Sequence, residues 1–485
     1  MQIIIILGIP VLLALAALFI KKQRIFSIIN SIGYLAVLSE SLLLLKITAA
    51  SGSIKLYGDF IYLDILSAFF IFVISVVAFA SALYSIGYIK KDVEKNAVSE
   101  RKSRAYYILF NLFCFSMLFV PVVNNLGMLW VAIEMTTLIS AFLVGFYNSK
   151  ESVEAAWKYI IICSVGIIFA LLGTILFYYA FSLLGGAKSL NWSDMAANAA
   201  AMDKNILKVA FIFILVGYGT KAGLAPMHTW LPDAHSQAVA PISALLSGVL
   251  LKTAIYAILR FGIIVIKGVG FAYFANLMIL LGLASLAISC GFILVQKDLK
   301  RLLAYSSIEH VGIISIGFGL GAPWAVIGAL LHIFNHAAAK SLMFFGAGNI
   351  VSVYKKHNMN GIRGVISVMP FTGFMLLLGV FALTGFPPFS LFISELLIII
   401  AAFTKGTYLI AALLLFFLAV IFGAFIYHFG KMLFGNLPKG MEPIGEPLSG
   451  KLAFIFLLFQ LCALGAIVLF IKKDLIWAAW ILFQS

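Results

Sequence analysis

The chain has 485 residues, of which 64% are hydrophobic and only 11% charged, with a formal net charge of +15. A soluble domain carries about 25% charged residues, so this composition excludes a soluble or disordered chain and points to a protein that crosses a membrane many times. Cys114, Cys163, Cys290 and Cys462 are scattered singly; with no Cys-x-x-Cys or Cys/His cluster they read as packing residues, and no metal or other cofactor is expected.

Apolar stretches of about 20 residues, separated by polar breaks, predict an all-α polytopic fold of about fourteen transmembrane helices. They cover 2–20, 25–47, 61–89, 105–121, 124–147, 152–181, 206–229, 236–265, 271–295, 299–320, 323–352, 364–403 (broken), 408–434 and 452–471. Lys21, Lys22 and Arg24 follow the first stretch and no basic segment precedes it. That order reads as a retained span, not a cleaved signal, with the N-terminus outside. Cations from Lys90 to Arg104, Lys150, Lys297 to Arg301, Lys355 to Arg363, and Lys431 to Lys451 fall on the same side as that first cluster. Fewer fall on the other side, among them Lys46, Lys188, Lys204, Arg260, Lys472 and Lys473. This positive-inside bias predicts a multi-pass protein of the cell inner (plasma) membrane with both termini outside. It also accounts for most of the net charge, so the lipid bilayer is the expected partner of these cations and no nucleic acid is.

The first three spans, with the segment to residue 103, carry little chemistry apart from Glu40 and Asp64. Glu40, between Ser39 and Ser41, reads as a packing or interfacial acid. The stretch 90–104 reads as a charged cytoplasmic hinge. Two halves follow, 104–265 (helices 4–8) and 266–434 (helices 9–13), and then a loop and helix 14 over 435–485. Each half holds five spans, and in each the fourth span, helix 7 or helix 12, is broken by proline and carries an ionisable residue. An odd number of spans inverts the second half in the membrane. Inverted repeats with discontinuous helices place their sites near the bilayer midplane.

In the first half, Glu134 lies in Trp130-Val-Ala-Ile-Glu. A lone buried acid is costly without a partner; it reads as a transport residue, or as a carboxylate capped by Thr136, Thr137 or Ser140. Lys158 is shallower and either takes part in transport or snorkels to the surface. Lys221 sits in Gly219-Thr-Lys-Ala-Gly-Leu-Ala-Pro-Met-His-Thr-Trp-Leu-Pro-Asp-Ala-His235, where Gly223 and Pro226 break the helix. Broken backbone at that depth is tolerated only inside protein or beside water, so Lys221 reads as part of an ion path. His228 reads as a proton-path residue, and Asp233 and His235 as structural, with Asp233 capping the next helix. Lys252 has apolar residues for two turns on either side and no snorkelling route.

In the second half, helix 10 contains Lys297-Asp-Leu-Lys-Arg-Leu-Leu-Ala-Tyr-Ser-Ser-Ile-Glu-His310, which supplies Glu309 and His310. His332, His336 and Lys340 recur every four residues, so they share one helix face. A zinc site there lacks a nearby third ligand, whereas neutral imidazole both donates and accepts protons. Glu395 follows Gly385-Phe-Pro-Pro-Phe, again an ionisable group beside a broken helix. His428 and Lys431 read as an exit or as a cytoplasmic interface.

The run from Gly219 to His235 resembles the signature of the antiporter-like proton-translocating membrane subunits. These are shared by respiratory complex I, the Mrp cation/proton antiporters and the group-4 membrane-bound [NiFe] hydrogenases. Trp130-Val-Ala-Ile-Glu, Asp298-Leu-Lys-Arg-Leu-Leu-Ala-Tyr-Ser-Ser307 and the His332/His336/Lys340 stripe agree with it in order. The resemblance implies that Glu134 tunes Lys221, the carrier of the first half. It implies that Lys252, His332, His336 and Lys340 form a polar axis between the halves, and that Glu395 is the terminal carrier. Glu309 before His310 is similar to the hydrogenase branch. The implied function is proton pumping in a redox-driven complex, a hydrogenase or a complex I-like NADH or ferredoxin dehydrogenase. The implied partners are other membrane and peripheral subunits, and the cargo is protons, with Na+ as a further candidate. The alternatives are an Mrp-type Na+/H+ antiporter subunit and a non-transporting scaffold; the chain has no redox site of its own in any of these readings.

Overall fold

The computed structural model describes residues 1–20, 22–185, 189–436 and 440–468, with side chains to 463 in the last stretch. The predicted cationic flanks at Lys21, Lys188, Lys439, Lys472 and Lys473, and the C-terminus, lie outside the described residues.

In chain order, α1 (Gln2–Phe19) and α2 (Gln23–Ser51) lead into a two-stranded antiparallel hairpin, β1 (Ile54–Leu56) and β2 (Ile61–Leu63). Then come α3 (Ile65–Glu94), α4 (Glu100–Phe119), α5 (Leu126–Val144), α6 (Lys150–Ser182), the short α7 (Trp192–Asn198), α8 (Lys204–Ala222) and α9 (Trp230–Gln237). Helices α10 (Ala240–Leu245) and α11 (Leu251–Gly268) are one span joined by a π-helical turn, Leu246–Leu250. The second half holds α12 (Phe271–Val295), α13 (Leu299–Leu320), α14 (Pro323–Tyr354), the single turn α15 (Val365–Val368), α16 (Pro370–Leu383), α17 (Ser390–Thr404) and α18 (Tyr408–Leu433), and α19 (Leu448–Val468) follows.

Among the described residues, ten helices are long and apolar enough to cross a membrane. Adding α4, α14, α19 and the pair α16–α17 gives a helix for each of the fourteen predicted spans. Both predicted breaks are present. Helix α8 ends at Gly223, whose φ of +78° suits a residue without Cβ, and the chain turns through Pro226 into α9. Helix α16 ends at Leu383 and the chain turns through Gly385 into α17.

Burial separates the helices into a hub and a rim. The apolar window of α13 is wholly buried and that of α10–α11 is 94% buried, against 33% for α1 and 28% for α18. The rim helices present smooth apolar faces to lipid, so they need no polar partner. The hub helices are covered by protein on every side, and this is where ionisable side chains are tolerated. Close approach uses small residues: α12 and α13 cross at Gly282 and Gly312, where a Cβ on Gly312 would stand 2.7 Å from the Gly282 carbonyl oxygen.

Three local expectations are corrected. The stretch 90–104 is no hinge: α3 runs to Glu94 and α4 starts at Glu100, with its first turn capped by Ser99, which accepts from Lys102 N. The hairpin and α7 interrupt the helical pattern on one side of the membrane. Arg260 is no span-end cation, because it is 3% exposed. Its guanidinium donates to both Asp64 oxygens at 2.6 Å, to Ser67 Oγ at 2.8 Å and to Tyr256 OH at 2.8 Å, and it stacks 4.4 Å over Trp192. Asp64 in turn caps α3 by accepting from Ser67 N. This pair ties α3 to α11, and near a span end it resembled a loop charge only because the covering residues are distant in sequence.

Breaking a buried ion pair from one side costs about 3–5 kcal/mol, because the other charge is left unpaired. Arg260→Gln should therefore lower the thermal unfolding temperature of the detergent-solubilised protein clearly, whereas Lys46→Gln on the surface should not. Equal unfolding temperatures for the two variants would remove the structural role of the pair.

Candidate functional site

The first centre forms where α8 breaks. Lys221 is in the last turn of α8, where the helix dipole favours a cation. Its Nζ donates to Tyr159 OH at 2.6 Å and to Thr137 Oγ1 at 2.7 Å, and it lies 4.7 Å from the Tyr159 ring centroid. Trp230, from the far side of the break, donates to the Thr220 carbonyl and holds the turn shut. Glu134 does not touch Lys221. Its carboxylate accepts from Thr137 at 3.2 Å and from Ser164 at 3.1 Å, so Thr137 stands between acid and base. Capping by Thr137 and tuning of Lys221 were separate readings of Glu134; the geometry joins them. Two unit charges roughly 6 Å apart still interact by about 3 kcal/mol at an effective dielectric of 20, so a one-hydroxyl spacer leaves the acid able to act on the lysine.

The second centre is built by α11, α13 and α14. The π turn before α11 widens the helix, and Lys252 Nζ donates back to the Ser247 carbonyl at 2.5 Å. Such turns often occur at functional sites. The same Nζ meets His336 Nδ1 at 2.6 Å. Lys340 Nζ donates to the Leu303 carbonyl at 2.6 Å and to Ser306 Oγ, while Ser307 bonds Ser247 at 2.7 Å. The paired serines of α13 thus support both lysines. His332, His336 and Lys340 share a face of α14 as predicted, yet each turns to a different partner.

The third centre lies at the second break. His310 Nδ1 and His332 Nε2 are 2.9 Å apart, the His310 and His336 ring centroids 4.6 Å, and His332 Nδ1 meets Ser394 Oγ at 2.9 Å. Glu395 is buried with Oε1 free of any protein hydrogen bond. Its carboxylate packs against Gly385, where φ is +64° and a Cβ would strike it. His310, His332 and Glu395 each offer an atom within 4.8 Å of the others, so tertiary packing supplies the third ligand type that the His332/His336 spacing lacked. As folded, the two imidazoles are hydrogen-bonded to each other. Glu309, the residue before His310 on α13, is buried as well.

Other expected site residues stand apart. Lys158 is half exposed, 2.7 Å from Glu154 and 3.4 Å from Asp233. Asp233 makes no cap; it pairs with Lys158 and with Arg301 at 3.2 Å. His228 is buried, with Nδ1 unpartnered and its ring edge-on to Tyr305. Glu40 is partly exposed on α2.

One buried group was misjudged as a loop cation, and a second, His235, has a notable environment. Lys300, read as a loop cation, is 4% exposed and donates to the Ala238 carbonyl at the end of α9. His235 is fully buried on Phe344, with neither ring nitrogen bonded to protein. Lys300 lines a cavity of about 320 Å³, with Asp92, Tyr147 and His357 also on its wall. Asp92 accepts from Tyr147 at 2.8 Å, and burial together with the Lys300 charge holds the His357 imidazole below its ordinary pKa. The signal for His235 was its place in the Gly219–His235 run; for Tyr159 and Lys300 the sequence carried none.

Residues 123–422 match the family described as NADH:quinone oxidoreductase/Mrp antiporter, TM, and residues 60–97 match the N-terminal family of complex I chain 5. The chain is 40% identical to a hydrogenase-4 component F homolog of Methylacidiphilum infernorum, over 79% of this chain and 80% of that protein. It is 33% identical to hydrogenase-4 component B of Escherichia coli K12, over 69% of this chain but only 49% of that longer protein. A subunit of the membrane-bound sulfane sulfur reductase, an archaeal respiratory membrane complex, superposes with a TM-score of 0.85 at 26% identity, covering 100% of this chain and 98% of that one.

The hydroxyl bridge makes a specific expectation. Thr137→Val keeps the volume and removes the link, so it should reduce proton translocation in proteoliposomes about as much as Glu134→Gln. The double variant should be no worse than either single one, since both interrupt one contact. Additive losses would mean that Glu134 acts by another route.

Proposed function

Because this chain belongs to the NADH:quinone oxidoreductase/Mrp antiporter transmembrane family, we propose that it is the proton-translocating membrane subunit of a redox-driven complex. Electron transfer takes place in partner subunits, and this chain couples it to proton movement. The observation that carries the reading is the buried run from Lys252 through His336, His310 and His332 to Glu395, each member against the next. An imidazole takes a proton on one nitrogen and gives one from the other, so the hydrogen-bonded His310–His332 pair can hand a proton on, while the His336–His310 and His332–Glu395 steps, without a direct hydrogen bond among the described residues, need a side-chain movement.

In this reading Lys221 is the carrier of the first half, and the Glu134 charge acts on it across Thr137. Glu395 is the terminal carrier of the second half. Lys340, with Glu309, shifts the charge felt along the axis. We place intake at the cavity beside Asp92 and Tyr147, with Lys300 and His235 leading inward, on the cytoplasmic side that the positive-inside bias selects. Lys158 is assigned to a surface ion-pair cluster. The Glu309–His310 pair and the 40% identity to a hydrogenase-4 component F homolog favour a hydrogenase-type complex over an Mrp-type antiporter. Co-purification of a [NiFe] large subunit supports that choice, and co-purification of antiporter subunits alone overturns it.

Two substitutions test the axis. Lys221→Ala and Glu395→Gln should each abolish redox-driven acidification by sealed vesicles while the complex still assembles. Glutamine nearly matches glutamate in shape but holds no transferable proton. Wild-type acidification by Glu395→Gln would make that residue structural and send the proton out by another route, such as Glu309 and His310.

A further inference from the structure

His428 and Lys431 play no part in the axis, yet they line the second of two large cavities at the helix ends. The cavity, about 390 Å³, lies where α12 and α18 end and the α14–α15 connection returns. Lys297, Arg363 and Lys431 contribute three cations to its wall, with His428 beside them, and no carboxylate lines it. None of the three cations has an acidic partner among the described residues. Lys431 Nζ reaches only the hydroxyl and ring of Tyr427. Arg363 donates from Nη1 to the Met359 and Ile362 carbonyls, which fixes the guanidinium and leaves Nη2 without an acceptor among the described residues. The nearest acid in sequence, Asp298, is engaged in capping α13 and facing His357.

Unpaired cations repel one another, and three of them converging on one cavity imply an anion that holds them together. Arginine and lysine side by side suit a phosphate group, the first as a directional fork and the second as a point charge. The apolar flank then selects among phosphates. Leu294 and Val295, also on the cavity wall, are 50% and 71% exposed at the end of α12, and Tyr427 is 57% exposed at the end of α18. An apolar rim at the level where spans end is where acyl chains begin, and basic pockets between helices at this level hold anionic lipid headgroups.

We propose that this cavity binds the phosphate headgroup of an anionic membrane phospholipid, with Lys297, Arg363 and Lys431 as its ligands and the α12 end as the seat of an acyl chain. The site adds a headgroup contact where the end of α18, the α12–α13 junction and the α14–α15 connection already meet through backbone hydrogen bonds such as Met359 N to the Lys297 carbonyl and Gly364 N to the Phe434 carbonyl.

The test uses the complex containing the full chain, purified in mild detergent. Phosphatidylglycerol, phosphatidylcholine and inorganic phosphate are titrated separately, with retained lipid counted by native mass spectrometry and unfolding followed by temperature. The wild type should retain one more phosphatidylglycerol per chain than K297Q/K431Q, and only phosphatidylglycerol should raise its unfolding temperature. In K297Q/K431Q, whose substitutions are on the surface, affinity should fall about thirtyfold at the usual strength of two interfacial lysines. R363Q, folded by the same unfolding measurement, should do the same. Equal stabilisation by inorganic phosphate would overturn the lipid assignment in favour of a free-anion site. An unchanged lipid count in K297Q/K431Q would place the lipid elsewhere. Loss of a partner subunit with the lipid count unchanged would make the patch a protein interface.

Discussion

An excess of buried cations over buried carboxylates is the constraint on which this structure depends. Lys221, Lys252, Lys300 and Lys340 are all buried, against Asp92, Glu309 and Glu395, with Glu134 half covered. The one complete buried ion pair among the described residues, Arg260 with Asp64, is used up in joining α3 to α11. Each remaining lysine is held by hydroxyls, carbonyls and ring faces, which stabilise a charge without cancelling it. In a medium of low dielectric such charges act on one another over several ångströms. A chain of this kind is suited to moving protons in response to a charge change elsewhere.

Irregular helix geometry supplies the acceptors. Regular helices consume most of their own carbonyls, so few backbone acceptors are free at membrane depth; the Leu303 carbonyl inside α13, which accepts from Lys340, is an exception. The α8 break sets Lys221 at a helix C-terminus, the π turn offers the Ser247 carbonyl to Lys252, and the α16–α17 break makes room at Gly385 for the Glu395 carboxylate. Helix α13 connects these places. Within two turns it carries Leu303 and Ser306 for Lys340, Ser307 for Ser247, and His310 for His332. A small displacement of α13 alters the surroundings of both central lysines and of the histidine pair together.

Much of this was legible in the sequence because the bilayer permits few designs. Apolar length located the spans, and proline and glycine beside Lys221 and Glu395 located the breaks. The four-residue spacing placed His332, His336 and Lys340 on one face. Reading failed where exposure was inferred from closeness to a loop. Lys300 and Arg260 sit near span ends but are covered by α9 and by α3 and α7, segments far away in the chain. For Lys158 the sequence left transport and snorkelling open, and its side chain reaches Glu154 and Asp233 at the surface, as the snorkelling alternative has it.

By itself, then, the sequence determined which residues are ionisable, which lie at membrane depth and where helices must stop, because hydropathy and backbone chemistry are local. Only the tertiary structure decided which group faces which. It put Thr137 between Glu134 and Lys221, paired Lys252 with His336, and set Lys340 on the Leu303 carbonyl and Ser306 of α13. It also brought His310 and His332 together from separate helices beside Glu395. The reason is that a hydrogen bond requires donor and acceptor within about 3 Å. Helix rotation and crossing set that distance, and no property of a single helix encodes them.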